Sequence, residues 1–385
     1  MKRIISIIIA LTLVALSAFS SFADIYVEDE QASADVDISS ESAILIEAKS
    51  GTVLYSRNTD YFNSAASVTK VMTLLLVCEA LERGDFKLDD NVSISEYASS
   101  MGGSQVYLEA GEKFTVEELI KCTVIASAND AAVALAELCA GSEAAFVKKM
   151  NERAASLGLK KTSFENATGL DDDTVNHYTC VSDIAVMSGE LIKYDIIKKY
   201  SSLWQDSIRD GEFILTNTNR LVRYYDGCTG LKTGSTDKAG YCITVTAKRG
   251  DMELICVVMN APGITERNND ARALLDYGFY SFGSYCADLN DLDIIKVNCG
   301  KEEYIRPVAE NARIILPKAD ISRVRTVYDI KDSVDAPIKK GDSLGRIEFY
   351  VDEKKVYETE IYSDSDVNKI TVLDIFISIL SGFAA

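Results

Sequence analysis

The sequence predicts an α/β (α+β) fold in which an antiparallel sheet is flanked by helices, followed by a small all-β domain and a C-terminal amphipathic helix. Apolar residues at helical spacing fill much of residues 64–193, and strand-like runs bracket them near residues 42–58 and 241–259. After about residue 284 short alternating runs begin, and three of the four prolines lie there. A chain of 385 residues is long enough for two such domains.

The N-terminus has the signature of a secretory signal. Two basic residues precede an apolar run over residues 4–18, and Ser21-Phe22-Ala23 offers small residues before a cleavage site. The run is too short for a spanning helix, so we predict a signal peptide over residues 1–23 and an exported protein. Residues 24–41 are acidic and rich in serine, and we expect a flexible lead-in there.

The composition excludes several classes of function. A formal net charge of −19 without a basic stripe argues against a nucleic-acid partner. The chain has one histidine, His177, and its nine cysteines form no C-x-x-C pair, so the sequence predicts no metal centre and no cofactor. We infer no disulfide framework, although one cysteine pair remains compatible with the sequence.

The elements of the first domain, residues 42–283, follow one another in an α+β order. Residues 42–58 favour a β-hairpin, and residues 64–83 favour a helix that ends at Gly84. Further elements are expected as helices over 115–126, 129–140, 143–157, 180–193 and 267–280, and as strands over 241–248 and 252–259.

The two C-terminal segments differ from the first domain. Residues 284–366 are predicted to form a β-sandwich-like domain, because alternating runs flank the polar turn at 352–354. Residues 367–385 favour an apolar helix with one narrow polar face, which includes Thr371 and Asp374. Such a helix is too short to span a bilayer, so we predict an in-plane membrane anchor. Docking on the β domain is the alternative.

Three short motifs carry the chemistry, and each occurs twice. S-x-x-K occurs at 67–70 and 235–238, S-x-N at 56–58 and 127–129, and K-[ST]-G at 49–51 and 232–234. None is specific alone, so their context must decide between the members of each pair.

Context favours Ser67 as a nucleophile and Lys70 as its base. Ser67 begins a helical run and Lys70 follows nearly one turn later, so both side chains lie on one face. Ser235 instead follows a Gly-rich turn, and residues 232–234 lead into the strand at 241–248, where they can line a sheet edge beside a peptide. The favoured set has the order found in penicillin-binding proteins and β-lactamases: Ser67/Lys70, Ser127/Asn129 and Lys232/Thr233/Gly234.

With these motifs the chain resembles the D-alanyl-D-alanine carboxypeptidases, the low-molecular-mass penicillin-binding proteins. Segments that look like family blocks are "SAASVTKVMT", "SANDAAVALAE", "MNERAASLGLKKTSFENATGL", "HYTCVSDIA" and "DGCTGLKTGSTDKAGYC". The resemblance covers about residues 40–280 and continues more weakly to the end. It implies a serine β-lactamase/transpeptidase-like catalytic domain over 42–283. It also implies removal of the terminal D-alanine from peptidoglycan stem pentapeptides, inhibition by β-lactams, and a place at the outer membrane face or cell wall.

The resemblance also implies roles for individual residues. Ser67 forms the acyl-enzyme, Lys70 accepts its proton and Ser127 relays that proton to the leaving amine. Asn129 holds the peptide amide. The backbone N–H groups of Ser67 and Ser235 form the oxyanion hole. Lys232, Thr233 and Arg267 hold the terminal carboxylate of the substrate, and Gly234 is a further substrate-binding residue.

Two other functions share parts of this pattern. A β-lactamase needs a carboxylate that activates the deacylating water, and the sequence contains no convincing candidate between the second and third motifs. A catalytically silent wall-binding scaffold is disfavoured by the intact Ser67/Lys70 pair. For His177 a structural hydrogen bond is expected rather than catalysis, and for Asp183 a structural cap or pair.

Overall fold

The computed structural model describes residues 36–172, 174–289, 292, 294–309 and 312–382, with side chains described up to residue 377. The predicted signal peptide, residues 24–35 of the predicted lead-in and the last three residues of the predicted anchor lie outside the described residues. The chain divides into two compact units, residues 1–280 and 281–385.

The first unit contains nine strands within the described residues. In chain order its strands are β1 (Ser42–Glu47), β2 (Val53–Arg57), β3 (Asn91–Ser93), β4 (Lys113–Thr115), β5 (Gln205–Ile208), β6 (Phe213–Thr216), β7 (Cys228–Thr236), β8 (Gly240–Arg249) and β9 (Met252–Ala261).

Five of these strands form one antiparallel sheet in the order β2-β1-β9-β8-β7. All six residues of β1 are buried, which indicates that both faces of the sheet are covered. The predicted antiparallel sheet flanked by helices is therefore confirmed. Residues 232–234 were expected to lead into the strand at 241–248, but they lie within β7, a separate edge strand that pairs with β8.

Helices cover this sheet. In chain order they are α1 (Lys70–Arg83), α2 (Glu96–Ser99), α3 (Val116–Ile125), α4 (Asn129–Ala140), α5 (Glu143–Ser156), α6 (Val181–Leu191), α7 (Asp195–Ser201), α8 (Leu221–Tyr224) and α9 (Ile264–Ser281). α1 ends at Gly84, whose left-handed backbone is easily adopted without a side chain. α3 begins with a capping box between Thr115 and Glu118.

The helix predicted over residues 64–83 begins later than expected. Residues 66–69 form a 3₁₀ turn, and the α-helix starts only at Lys70. Ala66 has φ of 44°, a left-handed conformation that does not continue a regular α-helix. Ser67 therefore lies in a tight turn directly before α1.

The end of the predicted flexible lead-in is held in place. Ile38 and Ser40 are buried, and the carboxylate of Asp270 on α9 accepts hydrogen bonds from the backbone N–H groups of Ser39 (3.1 Å) and Ser40 (2.8 Å). The expectation of flexibility therefore does not extend to residues 38–41.

The second unit is mostly β-structure, as predicted. Its elements in chain order are β10 (Phe282–Cys286), β11 (Ile295–Asn298), β12 (Tyr304–Ile305), β13 (Pro307–Val308), β14 (Arg313–Pro317), α10 (Lys318–Ile321), β15 (Val324–Ile330), β16 (Ser333–Asp335), β17 (Ser343–Val351), β18 (Lys354–Ser363) and α11 (Val372–Gly382). The largest sheet has the order β13-β18-β17-β15 and buries Ile347, Phe349 and Ile361.

The C-terminal segment ends in α11, which begins five residues after the predicted boundary at 367. Val367 is buried, and its N–H donates to the carbonyl of Ile338 over 2.9 Å, so it belongs to the β domain. On α11 the apolar side chains of Val372, Leu373 and Phe376 are exposed. Among the described residues, no helix is long and apolar enough to cross a membrane.

Candidate active site

The predicted nucleophile and base are in contact. The Lys70 ammonium nitrogen lies 3.0 Å from Ser67 Oγ, and it donates to the carbonyl oxygen of Thr168 over 2.8 Å. Lys70 is fully buried, whereas Ser67 is partly open to solvent. The 3₁₀ turn followed by the first turn of α1 places the two side chains together.

Burial and neighbouring cations change the basicity of this lysine. Burial, and next the charge of Lys232, hold the pKa of Lys70 well below its usual value. Burial, and next the charge of Arg267, lower the pKa of Lys232 to about 7. Burial, together with the charge of Arg220, lowers the pKa of Arg267 to about 10. Lys70, Lys232 and Arg267 thus each have a further basic residue close enough to disfavour their charged form.

A hydrogen bond joins the S-x-N motif at 127–129 to the K-[ST]-G motif at 232–234. The Lys232 Nζ donates to Ser127 Oγ over 2.8 Å and to the carbonyl oxygen of Thr233 over 2.9 Å. Ser127 lies between α3 and α4 with φ of 62°, and its side chain is buried. This turn brings its hydroxyl to the edge strand β7 although the two motifs are far apart in sequence.

Asn129 keeps one acceptor without a partner. Its Nδ2 donates to the carbonyl of Gly102 over 2.7 Å, and its N–H donates to the carbonyl of Ser104 over 2.7 Å. Its Oδ1 is the one buried side-chain oxygen or nitrogen of the described residues that has no hydrogen-bond partner. Such an orphaned acceptor costs about 1–3 kcal/mol, and a ligand N–H would relieve that cost.

Gly234 brings β7 against the turn that carries Ser67. A Cβ on Gly234 would lie 2.9 Å from the backbone nitrogen of Ser67 and 3.0 Å from that of Val68. Glycine permits this approach, because the two backbone nitrogens cannot rotate away from an added Cβ. Ser235, the next residue, is exposed beside the same turn.

Arg267 is a buried cation on α9 that belongs to the same group. Its Nε and Nη2 donate to Asn268 Oδ1 over 3.1 and 3.0 Å, and it forms no ion pair with a carboxylate in the described part of the chain. Thr233 Oγ1 donates to Thr218 Oγ1 over 2.7 Å. Direct contacts therefore join Lys70 to Ser67, Lys232 to Ser127 and Gly234 to the Ser67 turn. Arg267 lies close enough to Lys232 to lower its pKa.

His177 has a structural environment, in agreement with the expectation. Its Nδ1 accepts a hydrogen bond from the Glu165 N–H over 3.1 Å, so its Nε2 carries the proton and donates to Thr69 Oγ1 over 2.7 Å. Burial lowers the pKa of His177 to about 4, so the ring is neutral near pH 7. Asp183 likewise accepts bonds from the Lys161 N–H and from Thr162 Oγ1.

Thr168 was not among the predicted site residues, although its loop lies in a segment that resembles a family block. Asn166 Oδ1 accepts bonds from the N–H groups of Thr168 (3.1 Å) and Gly169 (2.7 Å) and so shapes this loop. Gly169 has φ of 83°, and a Cβ there would overlap the carbonyl of Ala66. The Asn-x-x-Gly spacing signals a tight turn, but no residue type reveals that a backbone carbonyl will face the lysine.

The alternative motif copies lie elsewhere or have the wrong geometry. Ser50 is in the hairpin between β1 and β2, where its Oγ donates to Glu47 Oε2 over 2.7 Å. Ser235 is on a strand, so a spacing of three residues does not stack Lys238 against it. Among the described residues, no carboxylate forms a direct hydrogen bond with Ser67 or Lys70.

Comparisons with known proteins agree with this geometry. Residues 28–263 match the family described as D-alanyl-D-alanine carboxypeptidase, and residues 290–369 match the penicillin-binding protein 5 C-terminal domain. The D-alanyl-D-alanine carboxypeptidase DacF of Bacillus subtilis is 40% identical over 96% of this chain and 95% of its own length.

Solved structures give the same result. Penicillin-binding protein 5 from Haemophilus influenzae matches with a TM-score of 0.76 and 29% identity, over 86% of this chain and 98% of that one. Penicillin-binding protein D2 from Listeria monocytogenes, solved in its ampicillin-bound form, matches with a TM-score of 0.59 and 31% identity, over 64% of this chain and all of that one.

Proposed function

Because the chain belongs to the D-alanyl-D-alanine carboxypeptidase family of serine peptidases, we propose that it removes the terminal D-alanine from peptidoglycan stem pentapeptides through an acyl-enzyme on Ser67. The observation that carries this proposal is the 3.0 Å contact between Ser67 Oγ and the buried Lys70 amine. A nucleophile within hydrogen-bond reach of a base is what covalent catalysis requires.

In the first step Lys70 takes the proton of Ser67. A neutral amine has a lone pair for the hydroxyl proton, while its own N–H can donate to the Thr168 carbonyl. The lowered pKa of Lys70 supports this state, since burial and Lys232 both disfavour the charged amine. Ser67 Oγ then attacks the carbonyl between the two D-alanines.

In the second step the amine of the terminal D-alanine leaves. Ser127 relays to this amine the proton that Lys70 took from Ser67, so Lys70 returns to its neutral form, and the hydrogen bond from Lys232 orients the Ser127 hydroxyl. The partnerless Oδ1 of Asn129 would accept the amide N–H of the bound peptide. Water then hydrolyses the acyl-enzyme and frees Ser67.

The negative charge of the tetrahedral intermediate falls on the carbonyl oxygen. The backbone N–H groups of Ser67 and Ser235 form the proposed oxyanion hole. The close approach allowed by Gly234 supports this assignment, because it brings β7 against the Ser67 turn.

Substrate selection depends on the terminal carboxylate. Lys232, Thr233 and Arg267 would hold it, and Arg267 has no competing carboxylate within the described residues. We further propose that β-lactams acylate Ser67, as the ampicillin-bound relative suggests. The enzyme would act after export, at the outer face of the membrane, with α11 as its in-plane anchor. Its role there would be in peptidoglycan maturation and the control of cell shape.

Mass spectrometry after incubation with penicillin tests the proposal. We expect a long-lived adduct on the peptide that contains Ser67, and we expect Ser67→Ala to lose both the adduct and D-alanine release. Ser56→Ala, in the other S-x-N copy, is the matched control and should keep both. An adduct that survives on Ser67→Ala would refute the assignment, and rapid turnover of penicillin would point to a β-lactamase.

A further inference from the structure

A single carboxylate joins three segments around the proposed site. Asp171 Oδ2 accepts hydrogen bonds from Ser64 Oγ over 3.0 Å and from Thr236 Oγ1 over 2.5 Å. Ser64 lies three residues before Ser67, and Thr236 directly follows Ser235. The two donors are thus close in sequence to the two N–H groups of the proposed oxyanion hole.

Both hydroxyls commit their proton to this carboxylate. Ser64 is buried, and a serine hydroxyl has one proton to donate. Thr236 Oγ1 also accepts a bond from the Ala239 N–H over 3.0 Å, which fixes the turn that ends β7. Hydrogen bonds to an ionised acceptor are about twice as strong as neutral ones, so both bonds resist separation of the segments.

The loop that carries Asp171 is itself well anchored. Leu170, its neighbour, accepts a hydrogen bond at its carbonyl from Asn166 Nδ2 over 2.6 Å. The Glu165 N–H is bonded to His177, which in turn donates to Thr69 next to Lys70. These hydrogen bonds therefore hold the residues that precede Asp171 in the loop.

The contact at Gly234 keeps β7 and the Ser67 turn from moving closer, whereas the hydrogen bonds to Asp171 keep them from moving apart. The approach of Gly234 to the Ser67 nitrogen leaves no room for even one added carbon, so van der Waals contact sets the smallest distance between β7 and the turn. Contact alone does not stop the two from moving apart. The two hydrogen bonds to Asp171 supply that restraint.

We propose that Asp171 is a positioning residue that holds the N–H groups of Ser67 and Ser235 at the separation needed to stabilise the oxyanion. This proposal rests on the function assigned above. In the described residues the carboxylate of Asp171 bonds to Ser64 and Thr236 and not to Ser67. It acts by fixing the edge strand against the nucleophile's turn through Ser64 and Thr236.

The first test compares three variants at this loop. Asp171→Ala should lower kcat for D-alanine release and the rate of penicillin acylation by about 10- to 100-fold, with KM changed less than about threefold, since a misplacement near 1 Å costs about 100-fold. Asp171→Asn keeps an oxygen that accepts both bonds, so it should retain most of the rate. Asp172→Ala, at an exposed neighbouring carboxylate, is the matched control.

A double-mutant cycle links the effect to the proposed bonds. Thr236→Val removes one donor and should lower kcat in the same way. The loss in the double variant with Asp171→Ala should be smaller than the sum of the two single losses, expressed as free energies. If Asp171→Ala does not fold, Thr236→Val and Ser64→Ala carry the test.

Wild-type kcat in Asp171→Ala or Thr236→Val, measured below the unfolding temperature, would overturn the proposal even if the unfolding temperature falls. Additive losses would overturn it too. Failure of the proposed function itself is recognised separately, by an adduct that persists on Ser67→Ala.

Discussion

At the scale of single residues, the protonation state of Lys70 decides whether Ser67 can be activated. Full burial and the nearby charge of Lys232 both favour the neutral amine. The hydrogen bond to the Thr168 carbonyl fixes the direction of the side chain. Burial and a neighbouring cation thus favour the neutral amine that the proposed base requires, without a histidine.

This dependence predicts a shift in a pH profile. Replacing Lys232 by Gln removes a neighbouring positive charge, so the pKa of Lys70 should rise and less of it should be neutral at a given pH. The acid limb of the penicillin acylation rate should therefore move to higher pH, in addition to an overall loss of rate. Lys87→Gln, at an exposed lysine, should leave the limb in place. A limb that moves to lower pH would contradict this coupling.

At the scale of elements, edge strand β7 matters because of how closely it approaches the Ser67 turn. Gly234→Ala would place a methyl group 2.9 Å from the Ser67 nitrogen and 3.0 Å from Ala66 Cβ. Overpacking of this kind costs about 1–3 kcal/mol in the free energy of unfolding. Because the strand must move away, we also expect acylation to fall about 100-fold.

Gly263→Ala is a suitable control for that substitution. A Cβ there would lie 2.2 Å from Glu266 Oε2, the end of a flexible side chain that can rotate away. Stopped-flow acylation and chemical denaturation of both variants measure the two effects. Equal acylation rates in Gly234→Ala and the wild type would show that the close approach is not needed.

The terminal helix α11 gives a second prediction at this scale. Ending the chain after Ile370 keeps the buried Val367 in the β domain and removes the exposed apolar residues Val372, Leu373 and Phe376. We expect the shortened protein to lose binding to phospholipid vesicles while its activity on a soluble peptide is unchanged, since anchoring depends on apolar burial.

Co-sedimentation with vesicles and a D-alanine release assay measure these outcomes. Leu373→Glu combined with Phe376→Glu should reproduce the loss of binding in a chain of full length. Continued sedimentation of the shortened protein would show that the anchor lies elsewhere.

At the scale of the whole molecule, local patterns predicted most helices, several strands and the three motifs, because each of these depends on residues close in sequence. They did not predict the contacts that complete the site. Lys70 meets the Thr168 carbonyl 98 residues away, and Asp171 meets Thr236 65 residues away. A backbone carbonyl has no side-chain signature, and a lone aspartate in a loop gives no sign of distant partners.

Charge is the other property of the whole molecule. A chain of net charge −19 would repel an anionic peptide, yet Lys232 and Arg267 are buried together without a carboxylate partner in the described residues. Burial and the charge of Arg267 lower the proton affinity of Lys232, which an arriving carboxylate would offset. The enzyme should therefore act on the free chain end of a peptide.

Amidation of the terminal D-alanine tests this directly. It removes the substrate's charge, and a charge-assisted bond is worth about 1.5–3 kcal/mol, so kcat/KM should fall roughly 10- to 200-fold. Arg267→Ala should cause a similar loss on the free acid but little further loss on the amide, because both changes remove one interaction. The measurement is the four-point cycle of kcat/KM values, with Lys87→Ala as an unaffected control. Losses that simply add would mean that Arg267 does not bind the carboxylate.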